Sequence, residues 1–344
     1  MNSQTKFLGI DIGGAHLKII GLDKKMNVSI VKYKSCPLWE GLGNLKKEIQ
    51  LINTISKDKN IKCGITMTGE LCDFFKTRID GAKIIHELCK KIKFEKYFYS
   101  TSEGLSKQKT LNFNDIISMN WYAIGDLLKK IVKDTIIIDF GSTTTDFICI
   151  KNYKIMNTGR DDFSRINNLE LVYSGLTRTP TFGITRSIKI KNHEYRIIPE
   201  FFSDSSDVYR ILGMITKSLD IDEVADKSKK TARESMARLA RSFGFDFKTK
   251  NKRLIGKLAQ KLSQIQIEEI LTNLNYLYNK FQYDKDTPII LAGIGQDVLY
   301  NNIKKKYNVS LITQYLPGKN TKLKHLSSYH APALCIANLL RDSQ

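Results

Sequence analysis

The 344-residue chain is short of several things at once, with 2 Trp, 6 Pro and 5 His. No apolar run approaches the ~18 to 20 residues that span a bilayer, so no membrane association is expected. Met1-Asn2-Ser3-Gln4-Thr5-Lys6 leads straight into an apolar run; that leaves no room for a secretion signal and makes a cytoplasmic location the expectation. The six cysteines (Cys36, Cys63, Cys72, Cys89, Cys149, Cys335) include no Cys-x-x-Cys pair, which argues against a zinc site and a disulfide framework. Acid is scarce too. Against 55 Lys and Arg stand 35 Asp and Glu, for a net charge of +20, a field that favours anionic partners. Yet Lys248-Thr249-Lys250-Asn251-Lys252-Arg253 and Lys304-Lys305-Lys306 lack the interleaved aromatics of a single-strand platform, and no nucleic-acid motif occurs. Nucleic acid is therefore not an expected partner; a phosphorylated small molecule accounts for the charge as well, and Lys beside abundant Asn and Ile also reads as compositional bias.

What the chain does have is a repeat. Ile10-Asp11-Ile12-Gly13-Gly14-Ala15-His16-Leu17-Lys18 and Ile138-Asp139-Phe140-Gly141-Ser142-Thr143-Thr144-Thr145-Asp146 follow one design about 130 residues apart: an Asp closing an apolar run, then a glycine turn. Such an Asp is the hard oxygen ligand Mg²⁺ takes, and the small residues after it let backbone N–H groups approach phosphate oxygens. Either segment alone reads equally as an ordinary hairpin. A third element, Ile289-Ile290-Leu291-Ala292-Gly293-Ile294-Gly295-Gln296, reads as a buried strand entering a Gly-x-Gly turn against which an adenosine or phosphate ester would lie. In this order the three resemble the acetate and sugar kinase, heat-shock ATPase and actin superfamily. The resemblance implies an α/β protein of two ribonuclease-H-like lobes with ligand in the cleft between them.

The first lobe is expected over residues 1–133. Its strands are 7–11, 17–22 and 28–33, then 61–67 and 97–100, with helices over 45–55 and 82–91 and one through Trp121, Ile124, Leu127, Leu128 and Ile131. The second lobe, 134–344, restarts with strands 135–140, 145–150 and 154–157. It carries an insertion at about 158–247, a length more often functional than idle, and a closing amphipathic helix over 331–341.

Asp11, Asp139 and Asp146 are the candidate metal ligands, with Asp146 the weaker because it can instead cap its turn. Gly13, Gly14, Gly141, Ser142, Thr143 and Thr144 offer donors to phosphate oxygens, and Lys18, Arg165 and Arg178 offer charge. Gly293 and Gly295 are the candidate third phosphate turn. His16, Glu70 and Asp139 are the catalytic candidates. His16 can take a proton from a hydroxyl nucleophile, or can be a packed structural residue. Glu70 stands at a strand end where ligands gather, or is a helix-start carboxylate.

Asp11 to Lys18, Cys36-Pro37-Leu38-Trp39, Thr66-Met67-Thr68-Gly69-Glu70-Leu71, Asp139 to Asp146, Leu171 to Gly175 with Arg178-Thr179-Pro180, and Glu200-Phe201-Phe202 through Asp207-Val208-Tyr209-Arg210 together resemble one family. It is the hydantoinase A-like family of tetrahydromethanopterin- and methanofuran-linked one-carbon metabolism, and the resemblance runs nearly the whole chain. It implies a diphosphate-releasing transferase in methanofuran assembly, which joins an aminomethylfuran carrying a methyl diphosphate to the phenol oxygen of γ-glutamyltyramine. Asp162 and Arg165 carry over from the family's pattern, although Ser164 stands where it has a charged residue. Mg²⁺ is the expected cofactor. The alternative, carried by the Gly293–Gly295 turn, is an ATP-dependent small-molecule kinase or ATPase.

Overall fold

The computed structural model describes residues 4–58, 60–107 and 112–343. Strands β1 (Thr5–Ile12), β2 (His16–Asp23) and β3 (Val28–Ser35) make an antiparallel meander, followed by α1 (Gly43–Ile52), β4 (Lys62–Met67), α2 (Arg78–Cys89), β5 (Glu95–Ser100), β6 (Gly104–Ser106) and α3 (Asn120–Leu128). The strands form one sheet ordered β3-β2-β1-β4-β5-β6, with β4 parallel to β1 and β5 parallel to β4. The central strands are covered on both faces, which is why β1 and β4 are nearly continuously apolar. One face, through Leu8, Ile10 and Ile12, packs with Leu45 and Ile49 of α1 and Ala82 and Ile85 of α2.

A second sheet repeats the plan with β7 (Thr135–Phe140) and β8 (Thr145–Lys151). The third strand expected at 154–157 is shorter than that. Only β9 (Lys154–Ile155) pairs with the far end of β8, because the Asn157 side chain then replaces the ladder. Its Oδ1 accepts from the Cys149 N–H and its Nδ2 donates to the Phe147 carbonyl, both at 2.8 Å. After α4 (Asp162–Asn167), β10 (Leu171–Val172) takes the edge beside the turn instead, opposite Thr145 and Asp146.

The chain then leaves the sheet for α5 (Thr181–Ile184), the hairpin β11 (Ser187–Ile190) and β12 (His193–Arg196), α6 (Ser205–Ile211) and α7 (Ala232–Ser242). These elements share a satellite core of Ile188, Val208, Leu239 and Ala240. It is closed by the first half of α8 (Lys252–Lys280), through Ile255, Leu258 and Leu262. The second half of the same helix packs Ile267, Ile270, Leu274 and Leu277 on the second sheet, so one rod ties the insertion to the lobe. That sheet is completed by β13 (Ile289–Ala292), α9 (Gln296–Ile303) and β14 (Val309–Leu311), in the order β10-β8-β7-β13-β14.

After α10 (Lys322–Ser327), the last helix α11 (Ala331–Leu339) crosses back to the first sheet, against β1, β2, β4 and α3. Its Ala333, Ile336 and Ala337 join Ile20 and Leu22 of β2, Trp121 and Ile124 of α3, and Ile137, Ile148 and Ile290 of the second sheet in one apolar cluster. Gly9 makes this approach possible, since a Cβ there would lie 2.0 Å from the Ala333 carbonyl oxygen and 2.6 Å from the Ala337 nitrogen. Gly9→Ala is therefore expected to push α11 off β1 and to destabilise by about 1–3 kcal/mol, as overpacked cores do. Urea unfolding measures this, and an unchanged midpoint would contradict the packing.

Candidate functional site

The two glycine turns are built alike. In each, the first glycine N–H closes the hairpin by donating to a carbonyl three residues on, Gly13 to His16 and Gly141 to Thr144, both at 2.9 Å. Behind them, Asp11 stands opposite Lys18 and Asp139 opposite Asp146 in equivalent cross-strand pairs. The turns face each other across a cavity of about 530 Å³ lined by Gly13, Gly14, His16, Lys18, Asp139 and residues 141–144, with Arg178 and His330 at its walls.

The equivalent pairs have opposite electrostatics. Asp11 is fully buried, its Oδ2 accepting from Lys18 Nζ at 2.8 Å, and it lies outside the cavity lining. Direct metal ligation by Asp11, expected from its sequence position, is thus pre-empted by Lys18, which presents its ammonium in its place. In the second lobe an aspartate, Asp146, stands where the first has Lys18. Asp146 pairs with Arg165 at 2.8 Å, leaving Asp139 without a hydrogen-bond or ion-pair partner among the described residues. Burial, and then the Asp146 charge beside it, push the Asp139 carboxyl up to about 8.

Between an unfolded value near 3.8 and a folded value near 8, the native state holds a proton the unfolded chain has lost, so this group lowers stability as pH rises through that window. The difference in stability between Asp139→Asn and the parent should grow in the variant's favour from pH 4 to 8, by at most about 1.4 kcal/mol per pH unit. Urea titrations at several pH values in chelator check this, and a pH-independent difference would contradict it.

His16 is buried between the turns. Its Nε2 meets Asp222 Oδ1 at 2.6 Å, its Nδ1 faces Ser142 Oγ at 3.3 Å, and its ring packs on Tyr33, which packs on His330. Burial outweighs the pull of Asp222 and holds His16 below its usual value. In the neutral imidazole the Nε2–H donates to the Asp222 carboxylate, and the Nδ1 lone pair accepts from the Ser142 hydroxyl. Burial alone would raise the Asp222 carboxyl, but hydrogen bonding from His16, with Arg178 and Thr177 adding to it, brings it below the ordinary range. Thr177 Oγ1 donates to Asp222 Oδ2 at 2.9 Å.

Asp222 has no sequence motif to announce it. It comes from the loop after α6, anchored where Arg210 grips both oxygens of Asp220 at 2.8 Å. The second turn is braced from behind. The N–H groups of Leu176, Thr177 and Arg178 donate to the carbonyls of Gly141 and Ser142, and a Cβ on Gly175 would lie 2.3 Å from the Ser142 oxygen. The N–H groups of Ser142, Thr143 and Thr144 have no acceptor among the described residues, so they are free for an anion in the cavity. Arg178 lies over the Trp39 ring at 4.6 Å and makes no ion pair among the described residues.

Other expected site residues are used inside the fold. Arg165 lines the cavity, but it is buried, bonded to Asp146 and the Glu170 carbonyl and seated on the Trp121 ring, so its role there is to position Asp146. Glu70 is buried outside the lining and accepts from Ser118 Oγ at 2.7 Å; Ser118, not Glu70, reaches the cavity. Gly293 and Gly295 also lie outside the lining, their N–H groups consumed by the carbonyls of Ser328 and Phe140 at 3.0 and 2.8 Å. A nucleotide phosphate finds no free donor on those two amides. His330 at the head of α11, Ser118 and Asp222 are among the site residues that sequence reasoning did not find.

Among the described residues no group of three or more His, Cys, Asp and Glu is arranged to hold a metal, and no helix is long and apolar enough to cross a membrane. The Hydantoinase/oxoprolinase family pattern matches residues 63–318, more than half of the chain and all of the second turn. The chain belongs to the hydantoinase/oxoprolinase family. Within curated proteins, this member is 27% identical over 339 residues to the (4-{4-[2-(gamma-L-glutamylamino)ethyl]phenoxymethyl}furan-2-yl)methanamine synthase of Methanocaldococcus jannaschii, covering 97% of both chains. It is 28% identical over 219 residues to the protein of the same name from Methanococcus vannielii, covering 62% of this chain and 94% of that one. Among solved structures, a ROK family glucokinase from Streptomyces griseus in complex with glucose and AMPPNP aligns over 98% of this chain and 99% of that one, at TM-score 0.51 and 10% identity. Acetone carboxylase in its nucleotide-free form aligns over 97% of this chain and 70% of that one, at TM-score 0.53 and 10% identity. What these two share with the hydantoinase/oxoprolinase chain is the fold, two α/β lobes around a cleft.

Proposed function

We propose that the protein is a transferase of methanofuran assembly, forming the aryl furfuryl ether of (4-{4-[2-(gamma-L-glutamylamino)ethyl]phenoxymethyl}furan-2-yl)methanamine. The donor is the aminomethylfuran methyl diphosphate, the acceptor is γ-glutamyltyramine, and diphosphate leaves. The Methanocaldococcus relative of that name, alignable over 97% of both chains, supports the product class. The observation that carries the chemistry is one cavity with a proton acceptor and free anion donors on adjoining walls.

The acceptor is a phenol of ordinary pKa ~10, so its oxygen needs help to lose a proton. His16 receives that proton at Nδ1, through the Ser142 hydroxyl that already donates to it. Asp222 holds the imidazole in the required tautomer and stabilises the imidazolium that forms. As the new C–O bond forms, the old one breaks and negative charge moves onto the diphosphate. Lys18, Arg178 and the open amides of residues 142–144 meet that charge in a preorganised array.

Mg²⁺ fits the Asp139 environment, an unpaired carboxylate raised by burial and by its acidic neighbour Asp146. Asp139 would hold it, since the Asp146 carboxylate expected as a ligand is taken by Arg165 and Asp11 acts only through Lys18. When bound it supplies further neutralisation of diphosphate oxygens.

The test is incubation of purified protein with the furan diphosphate, γ-glutamyltyramine and Mg²⁺. Ether and diphosphate are expected in equal amounts, and the absence of both rejects the reading. ATP has no place in this balance, so omitting it should leave the rate unchanged.

A further inference from the structure

A second cavity, of about 730 Å³, is lined by Arg78, Arg160, Tyr122, Thr101, Asp115 and Asp161. It adjoins the first along consecutive residues: Ile117, Met119 and Tyr122 line one cavity, Ser118 and Asn120 the other, and Asp161 is followed by Asp162 in the first. Its two guanidinium groups are conspicuously underused. Arg78 spends one nitrogen on Ser118 Oγ at 2.9 Å, its Nε is buried without a partner, and it makes no ion pair among the described residues. Arg160 lies over the Tyr122 ring at 5.2 Å and likewise makes no ion pair among them. Yet Asp115 and Asp161 share the cavity. Both accept local turn bonds, Asp115 from Ser102 and Asn112 and Asp161 from Ser164; the Arg78 charge is felt by Asp161 without a direct ion pair.

Two unpaired forks with nearby carboxylates suit a zwitterion rather than a simple anion. We infer that this second cavity binds the α-amino-acid head of the acceptor, its carboxylate on Arg78 and Arg160 and its ammonium toward Asp115 and Asp161. The inference rests on the functional reading above. It adds to that reading a reason why the acceptor carries a γ-glutamyl group that takes no part in bond formation: the head anchors in one cavity and its tyramine arm passes Ser118 to lay the phenol beside Ser142 and His16. Remote binding of this kind orients the reacting oxygen.

The experiment compares γ-glutamyltyramine with tyramine as acceptors, by kcat/KM for diphosphate release and by calorimetric binding. The parent protein should prefer γ-glutamyltyramine at least 10-fold. Arg78→Met and Arg160→Met should each cut that ratio at least 10-fold, mainly through KM, with Arg78→Lys retaining part of it. Arg160 is on the surface, so its variant tests the site even if Arg78→Met folds poorly. Equal use of both acceptors by the parent, or an unchanged ratio in both variants, overturns the inference. If neither acceptor yields ether, the functional reading falls instead; calorimetry then decides the cavity alone, with γ-glutamyltyramine binding lost in the variants supporting the site and unaltered binding refuting it.

Discussion

His16→Asn is expected to slow ether formation and diphosphate release together by about 10²–10⁴-fold, the usual worth of a positioned base. Asn is shorter: its amide reaches only the Nδ1 position that faces Ser142, where it offers no basic nitrogen, and it leaves Asp222 without the Nε2 donor. Asp222→Asn should fall in the same range for a different reason: an amide no longer demands the Nε2 proton, so the imidazole is free to turn its N–H toward Ser142 and lose the acceptor lone pair. The double variant should be little worse than either single one, since the two act as a unit. The parent's pH profile carries a sign as well. Catalysis needs neutral His16, whose value lies below the ordinary 6.5, so kcat/KM should hold through neutrality and decline only as acid charges the ring. Unchanged turnover in both single variants would remove this pair from the reaction.

The second large effect is on stability. Asp207, buried in α6, accepts from Arg210 Nη1 at 2.6 Å and from Arg238 through Nε at 3.0 Å and Nη2 at 2.7 Å. Arg238 is itself fully buried and reaches on to Asp226 and Ser228. Asp207→Asn would leave two guanidiniums facing a neutral amide in the satellite core, and loss of one member of a buried pair costs about 3–5 kcal/mol. Chemical denaturation measures it, and a loss under ~1 kcal/mol would show the network to be loosely held. Because Arg210 also fixes Asp220, two residues before Asp222, the folded fraction of this variant should turn over more slowly too. The insertion is thus a bracket: α6 and α7 clamp a loop whose task is to reach His16 from 206 positions away.

That distance explains what the sequence conceals. The turns at Gly13 and Gly141 were legible because their signals are local, with buried runs of Ile and Leu, a carboxylate and small residues in order. His16 was legible as an oddity within such a turn. Asp222 was not, for it sits in an unremarkable Ile-Asp-Glu loop and acquires meaning only when α6 folds back. Asp11 and Asp139 look interchangeable on paper. Their difference lies across the strand, where Lys18 faces one and Asp146 the other, and cross-strand register is a property of pairing. Gly293 and Gly295 announce a backbone-approach site, and the backbone does approach, but it is the protein's own Phe140 and Ser328 that fill the space. The helix α8 displays an apolar pattern over its length, yet that pattern serves two cores in succession, so composition alone does not say where a domain edge would fall.

The wedge of α11 between the sheets has a consequence for how the enzyme handles its ligands. A single oily seam, from Ile20 through Trp121 and Ile336 to Ile290, glues the lobes together along the floor of the cleft. Contacts of that kind resist independent domain rotation far more than polar ones do. A wide hinge-like opening of the mouth is therefore not expected during turnover.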